Sequence, residues 1–214
     1  MALKGVNERN PLGAGAIAGS GLPLDRQHTA AALQIGPPNT NTIDATATRD
    51  AAIDFVYALS MTAMTLSRWA EQWIIYASTE FGFVQLDAKY TTGSSMMPQK
   101  QNPDMLELIR GRCGDVYGRL TALLTMTKGL SVGYNRDLQE DKRHIFAAYD
   151  AVYDCMTIAA GVVRTARFDE NRISMGLDRG FLDATALADY LVSQGVAFRR
   201  AHQLVGQLVQ KCQG

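Results

Sequence analysis

The chain has 214 residues, of which 47% are hydrophobic, and its 21 basic side chains balance 21 acidic ones. This is enough material for one hydrophobic core with a smaller appendage. A surface for nucleic acid or anionic lipid needs an excess of positive charge, so we expect no nucleic-acid partner. No uninterrupted apolar run approaches the roughly 20 residues of a membrane span, and we expect no membrane partner.

The three cysteines are odd in number and far apart, at Cys113, Cys155 and Cys212. That arrangement fits neither a disulfide framework nor a zinc site. The three histidines are also scattered without ligand spacing, so we predict no metal site. The first residues are charged and lack the apolar core of a signal peptide, which favours a cytoplasmic protein.

Glycine and proline punctuate the first 43 residues, which predicts a loop-rich segment. The pattern of residues changes at Asp44. From there to about Ser78 there is no glycine or proline, and apolar residues recur every three or four positions. This spacing predicts one face of a single long helix, which needs partner helices to bury its apolar stripe.

A second loop ends in Asn102-Pro103-Asp104. Asparagine is a good helix N-cap, proline suits the first helical position, and an acid in the first turn suits the helix dipole. The sequence therefore predicts a helix that begins here and runs to about Lys128, with Gly129 as its stop.

Three further helices are predicted, at about 137–167, 183–194 and 198–213, and no segment shows convincing strand alternation. The predicted fold class is all-α, a long antiparallel helical bundle with a small helical C-terminal piece. We expect a partial central bundle domain at 1–168, including the loop-rich 1–43, and the start of a truncated C-terminal domain at 169–214.

The loop from Gly93 to Pro103 is the most informative stretch. It brings glycine and serine residues directly to a helix N-terminus, where free amides and the helix dipole favour an anion. Ser94, Ser95 and Asn102 add neutral hydrogen-bonding groups, and Lys100 adds a positive charge. Such a site can hold a carboxylate and stabilise further negative charge on it. Spacing alone does not choose between the two serines, and the same residues also fit an ordinary loop and helix cap.

The same loop resembles the Gly-Ser-Ser-x-Met-Pro-x-Lys-x-Asn-Pro signature of the fumarase/aspartase superfamily, and Gln99 points to its argininosuccinate lyase branch. Other stretches resemble that family in the same order along the chain: Pro11 to Gly19, Asp44 to Asp50, Phe83 to Leu86, Tyr134 to Lys142, Ala188 to Val192 and Phe198 to His202. The resemblance covers nearly the whole chain.

The resemblance implies an enzyme, a carbon–nitrogen lyase of arginine biosynthesis that splits argininosuccinate reversibly into arginine and fumarate without any cofactor. It implies that Ser94 is the base and that Lys100 and Asn102 stabilise an aci-carboxylate intermediate. Glu107 matches the acid that pairs with a catalytic histidine. That histidine lies in a Thr-His motif upstream of the segment matched here, so we expect the isolated chain to be inactive.

For substrate binding, the resemblance implies roles for five residues: Arg49, Ser95, Tyr134, Gln139 and Lys142. The charge of Lys142 also fits simple pairing with a neighbouring acid, Glu140 or Asp141. The family builds its active sites from several subunits of a homotetramer. Two alternatives stay open: another fumarate-releasing lyase of the superfamily, such as an adenylosuccinate lyase, and a non-catalytic, crystallin-like helical scaffold.

Overall fold

A computed structural model describes residues 10–177 and 180–213, so the first nine residues of the predicted loop-rich segment lie outside the described part. The chain divides into two compact units as far as its residues are described. Their ranges are Met1–Ile75 with Leu86–Ala166, and Tyr76–Gln85 with Arg167–Gly214. The predicted domain boundary after residue 168 stays a prediction.

Helices make up most of the described chain, which confirms the predicted all-α class. In chain order the helices of the described residues are α1 (Arg26–Leu33), α2 (Thr42–Ala47), α3 (Asp50–Ala77), α4 (Asp104–Thr127), α5 (Asp141–Thr165), α6 (Glu170–Leu177), α7 (Ala184–Ser193) and α8 (Phe198–Gln213). Two short 3-10 helices lie at Ala88–Tyr90 and Arg136–Glu140.

Four strands of two residues each form two small antiparallel pairs, which the sequence did not predict. Strand β1 (Val84–Gln85) pairs with β4 (Arg167–Phe168), and β2 (Thr92–Gly93) pairs with β3 (Gln101–Asn102). Runs this short cannot show the alternation by which strands are recognised in a sequence. The β2–β3 pair joins the two ends of the loop that contains Ser94.

The three long helices of the first unit share two buried clusters, and the members of these clusters fix the helix directions. The first cluster joins Val56 of α3 to Leu123 of α4 and Ala148 of α5. The second joins Ala70, Leu106 and Val162 of the same three helices. Residue numbers rise from the first cluster to the second in α3 and α5, and they fall in α4. Helix α4 therefore runs antiparallel to both neighbours.

The single helix predicted from Asp44 to Ser78 is wrong, because the chain breaks at Thr48 and Arg49 between α2 and α3. Thr48 has an extended backbone, and its hydroxyl accepts a hydrogen bond from the amide of Asp50 at 3.2 Å. The Arg49 side chain donates to the carbonyls of Thr46 and Thr48. These bonds satisfy backbone groups that an unbroken helix would use internally.

The predicted cap of α4 is also wrong. Asn102 lies in β3, and Pro103 takes the N-cap position without a side-chain cap. The helix itself and its C-terminal stop are confirmed, with Gly129 at a φ of +80°. The helix predicted from 137 is confirmed from Asp141 onwards, after one 3-10 turn.

The second unit contains α7 and α8, which pack together, and both predicted short helices are confirmed. Gly195 lies between them with a φ of +90°, a conformation that other residues seldom adopt. Helix α6 in this unit and α1 in the first unit were not predicted, because each has only eight residues and too few turns for a clear period.

One helical stretch, Arg136–Thr165, is long and apolar enough to pass a test of length and composition for a membrane span. This stretch is not an uninterrupted apolar run, so the sequence did not predict it as a membrane span. Core helices of bundles pass the same test, and α5 contributes to both buried clusters through residues such as Ala151 and Ala159. Packing within the first unit therefore accounts for part of its apolar character, since 39% of the apolar window is buried.

We expect Gly161→Ala to destabilise the protein by about 1–3 kcal/mol, because the added methyl would overlap the hydroxyl of Tyr90, which lies against α5 at this point. Gly114→Ala in α4 is the matched control, since nothing lies within 4 Å of its added carbon. Alanine there should raise the free energy of unfolding by about 0.5–1 kcal/mol. Urea unfolding of both variants measures the difference, and a gain from Gly161→Ala would show that Tyr90 does not pack as described.

Candidate active site

The loop from Ser94 to Lys100 is closed at its base by β2 and β3, where Thr92 pairs with Asn102. Within it, the Ser94 amide donates to the Lys100 carbonyl at 3.3 Å, and the Lys100 amide donates to the Met97 carbonyl at 3.0 Å. Backbone hydrogen bonds thus close the loop between Ser94 and Lys100.

The hydroxyl oxygen of Ser94 accepts hydrogen bonds from two backbone amides, that of Met96 at 3.2 Å and that of Met97 at 3.1 Å. Ser94 is half-buried, whereas Ser95 is exposed. Two convergent amides stabilise negative charge on the oxygen that they face. The geometry therefore distinguishes Ser94 from Ser95, which spacing alone did not.

The other predicted residues of this region lie around the loop. Lys100 is exposed at its end, and Asn102 is half-buried in β3. Glu107 is exposed in the first turn of α4, which also contains Asp104. The carboxylates of these two acids already interact with the positive, N-terminal end of the α4 dipole. A bound carboxylate would therefore depend mainly on the loop amides and Lys100.

A side-chain hydrogen bond fastens the base of the loop to α4. The Thr92 hydroxyl donates to one carboxylate oxygen of Asp104 at 2.5 Å. The other oxygen of Asp104 is buried and accepts no hydrogen bond among the described residues. The Thr92 hydroxyl is therefore the one donor to this carboxylate among the described residues, and it joins the loop to the first turn of the helix.

Arg49 lies at the start of α3 and forms an ion pair with Asp141, the first residue of α5. Its Nε donates to one carboxylate oxygen at 2.6 Å, and the Lys142 Nζ lies 2.7 Å from the other. The Asp141 side chain is only 7% exposed. Burial alone would raise the pKa of the Asp141 carboxyl, but hydrogen bonds from Lys142 and Arg49 outweigh burial and lower the pKa below its usual value. Asp141 is thus an ionised carboxylate held by two cations.

Tyr134 and Gln139 are joined directly, since the Gln139 amide donates to the Tyr134 hydroxyl at 2.8 Å. Tyr134 and Arg49 line one open cleft of about 590 Å³, whose remaining wall is formed by Ala45, Thr46 and the glycine-rich segment at 11–16. The cleft therefore combines an arginine, a phenol and a backbone-rich wall, a combination suited to a small polar ligand.

These two groups of predicted residues lie at opposite ends of the three-helix core. The Ser94 loop adjoins the start of α4, next to Leu106 and the second cluster. Arg49 and Asp141 begin α3 and α5, whose first turns lead to the first cluster, where α4 ends. At 1.5 Å per residue, the 24 residues of α4 separate the two ends by about 35 Å. One copy of the chain does not bring the two groups together.

Sequence reasoning assigned no site role to Asp141, Thr92 or Asp104. Asp141 entered it only as a possible partner for Lys142, and the structure shows this pairing. Its pairing with Arg49 spans 92 positions, a separation at which one sequence carries no signal. The Thr92–Asp104 bond depends on the unpredicted β2–β3 pair.

Two family models match the sequence. A model described as "Lyase" matches residues 2–118, and one described as "Argininosuccinate lyase C-terminal" matches residues 181–214. The argininosuccinate lyase of Symbiobacterium thermophilum is 48% identical over 203 residues, which are 95% of this chain and 44% of that protein. The argininosuccinate lyase of Carboxydothermus hydrogenoformans is 47% identical over 206 residues, 96% of this chain and 45% of that protein. The chain thus spans less than half the length of these relatives.

Solved structures share the fold of this chain. An EDDS lyase in complex with formate is 31% identical, with a TM-score of 0.77 over 94% of this chain and 40% of its own. The class II fumarase of Schistosoma mansoni has a TM-score of 0.77 at 20% identity over 94% of this chain and 45% of its own, which shows a shared fold. The "Lyase" model covers more than half of the sequence, and together with these relatives it shows that this chain belongs to the argininosuccinate lyase family of the fumarase/aspartase superfamily.

Proposed function

We propose that this chain supplies part of the active site of an argininosuccinate lyase, which converts argininosuccinate reversibly into arginine and fumarate. Its contribution is part of the substrate-binding residues and the loop from Ser94 to Lys100, which we call the base loop because Ser94 is the proton-accepting base. The observation that carries the proposal is the Ser94 hydroxyl, held by two amides in a loop beside Lys100. The identity to argininosuccinate lyases at 47–48% supports the choice of substrate.

In the first step, the Ser94 oxygen removes a proton from the substrate carbon next to a carboxylate. A serine hydroxyl is a weak base unless its ionised form is stabilised. The amides of Met96 and Met97, at 3.2 and 3.1 Å, supply that stabilisation. They are fixed before the reaction, so no reorganisation is needed when charge develops.

Removal of this proton pushes an electron pair onto the neighbouring carboxylate, which becomes a doubly charged aci-carboxylate. We assign stabilisation of that charge to Lys100 and Asn102, which flank the loop at its C-terminal end. An ammonium group and an amide that bind this intermediate more tightly than the substrate lower the barrier.

In the second step, the electron pair returns to form the carbon–carbon double bond of fumarate, and the bond to the guanidino nitrogen breaks. The nitrogen takes up a proton and leaves as arginine. Glu107 would support this protonation indirectly, by pairing with a histidine outside the matched segment. No metal or organic cofactor enters either step.

We assign Arg49, Tyr134, Gln139 and Lys142 to the substrate's carboxylates, with Ser95 contributing from the base loop. Arg49 and Lys142 supply positive charge, and the joined Tyr134 and Gln139 side chains supply neutral hydrogen bonds. Because about 35 Å separates these residues from Ser94 in one copy, we infer that the site forms between copies of a homotetramer.

The alternatives have less support. The match of residues 181–214 to the argininosuccinate lyase C-terminal model weighs against an adenylosuccinate lyase. An EDDS lyase variant, 30% identical to this chain, was solved with bound fumarate, which supports a fumarate-binding site over a non-catalytic scaffold. Cytoplasmic localisation stays a prediction.

The test is fumarate release from argininosuccinate by the purified chain, alone and mixed with the N-terminal segment of the Symbiobacterium thermophilum relative. We expect activity only in the mixture, and Ser94→Ala should lower kcat by about 100-fold or more. Ser193→Ala, the same change in α7, is the control and should leave kcat unchanged.

Retained activity in Ser94→Ala would exclude Ser94 as the base. Turnover by the chain alone would show that an acid within it protonates the leaving nitrogen. An assembled mixture that releases no fumarate would favour the scaffold.

A second prediction concerns order in the base loop. Thr92→Val deletes the hydroxyl that donates to Asp104 while keeping the side-chain shape, and it leaves the Asp104 carboxylate without its donor. We expect faster hydrogen exchange at residues 94–100 and a several-fold lower kcat.

The control is Thr91→Val, one residue away, whose hydroxyl makes only a long 3.5 Å bond to the Ala88 carbonyl. It should change neither quantity. Equal exchange rates in the two variants would show that the Thr92–Asp104 bond does not order the loop.

A further inference from the structure

We propose that Arg26 is a positioning residue, which fixes the backbone of Leu12 and Gly13 in the wall of the cleft that Arg49 and Tyr134 line. The inference rests on the proposed function, because it takes this cleft to hold part of the substrate. It assigns no particular part of the substrate to the cleft. What is new is the role of an arginine that lies outside the cleft lining and acts on the cleft through the backbone.

Side chains hold the backbone of Leu12 through both its amide and its carbonyl. The amide donates to Oδ1 of Asn10 at 3.0 Å, and the carbonyl accepts from Nε of Arg26 at 3.1 Å. Asn10 is buried, and its Nδ2 donates in turn to the carbonyl of Gly36. Arg26 is the first residue of α1. The cleft wall is therefore connected to α1 on one side and to the segment around Gly36 on the other.

Gly13, the next residue of the wall, lies directly against the Arg26 side chain. A carbon added to Gly13 would lie 2.8 Å from Cγ of Arg26 and 3.4 Å from its Cδ, and the φ of Gly13 is +75°. Glycine permits so close an approach because it has no side chain. Arg26 thus restricts the wall in two ways, by the hydrogen bond to Leu12 and by contact with Gly13.

The stability of α1 does not account for Arg26. The N-cap of this helix is Asp25, whose side chain accepts from the amide of His28. Nη2 of Arg26 is buried and donates to no acceptor among the described residues, which costs free energy. An uncharged side chain of the same length would avoid this cost. The bond from Nε to Leu12 is what Arg26 contributes among the described side-chain hydrogen bonds.

Two substitutions of Arg26 separate positioning from charge. In glutamine, Nε2 follows the same number of atoms as Nε does in arginine, so Arg26→Gln keeps a donor for the Leu12 carbonyl and loses the charge. Methionine has the same length and no donor, so Arg26→Met loses both. If Arg26 acted through its charge, the two variants would behave alike. If it acts by positioning, only the methionine variant releases the wall.

The test is steady-state kinetics with argininosuccinate, for the full 214-residue chain assembled with the N-terminal segment of the Symbiobacterium thermophilum relative. We expect Arg26→Met to raise KM by about fivefold, as the loss of one hydrogen bond predicts. The kcat should stay within about twofold, because a displaced wall weakens binding of the substrate and the transition state alike. Arg26→Gln should change KM by less than about twofold. Hydrogen exchange at residues 12–16 should be faster in the methionine variant alone.

Arg200→Met is the control, since Arg200 lies in α8 and its Nη1 bonds to Gln203 of the same helix. It should change neither KM nor exchange at residues 12–16. Gly13→Ala provides a second variant if Arg26→Met does not fold, because the added carbon displaces the wall from the other side of the same contact. It should also raise KM.

Equal KM values or equal exchange rates in Arg26→Met and Arg26→Gln would overturn the positioning role and leave the proposed function standing. A loss of kcat in place of a rise in KM, or an unchanged KM in Gly13→Ala, would do the same. An unmutated assembly that releases no fumarate would overturn the proposed function and the inference with it.

Discussion

The two buried clusters that α3, α4 and α5 share are the constraint on which the first unit depends. Alanines occupy several of the buried positions on α3 and α5, among them Ala63, Ala70, Ala148 and Ala159, whereas α4 contributes larger side chains. Helices α4 and α5 are in close backbone contact, and α3 joins them through the buried side chains of both clusters. Because α4 runs antiparallel to the other two, the start of α4 and the starts of α3 and α5 lie at opposite ends of the core.

That separation decides how the predicted residues can act. The proposed chemistry needs a base and a carboxylate-binding group within a few ångströms of one substrate, yet the Ser94 loop and the Arg49–Asp141 group lie about 35 Å apart along the core. Rigid helices cannot bend to close such a distance. The two groups work on one molecule only if different copies of the chain supply them. The antiparallel order of the bundle is therefore itself an argument for an oligomeric site.

Much of this architecture could be predicted from the sequence, and the exceptions have physical causes. Periodic apolar residues indicated every long helix, and the Gly129 and Gly195 stops were found because local conformation demands glycine there. The break at Thr48 was missed because the group that stabilises it, Asp141, lies 92 positions from Arg49. The cap at Asn102 was mispredicted because pairing with Thr92 in a strand outweighed a local preference. For the site, the family signature selected Ser94, but only the geometry shows the two amides that face its oxygen.

The exposure of the loop leads to one further consequence for the chemistry. Lys100 and Ser95 are exposed in a single copy, and amides that face water stabilise an oxyanion far less than amides in a site that excludes water. Abstraction of a carbon-bound proton by a serine needs the stronger effect. Under the proposed function, the copy that supplies Arg49 and Lys142 also supplies a surface that covers the loop. On this proposal, completion of the site and exclusion of water are a single event.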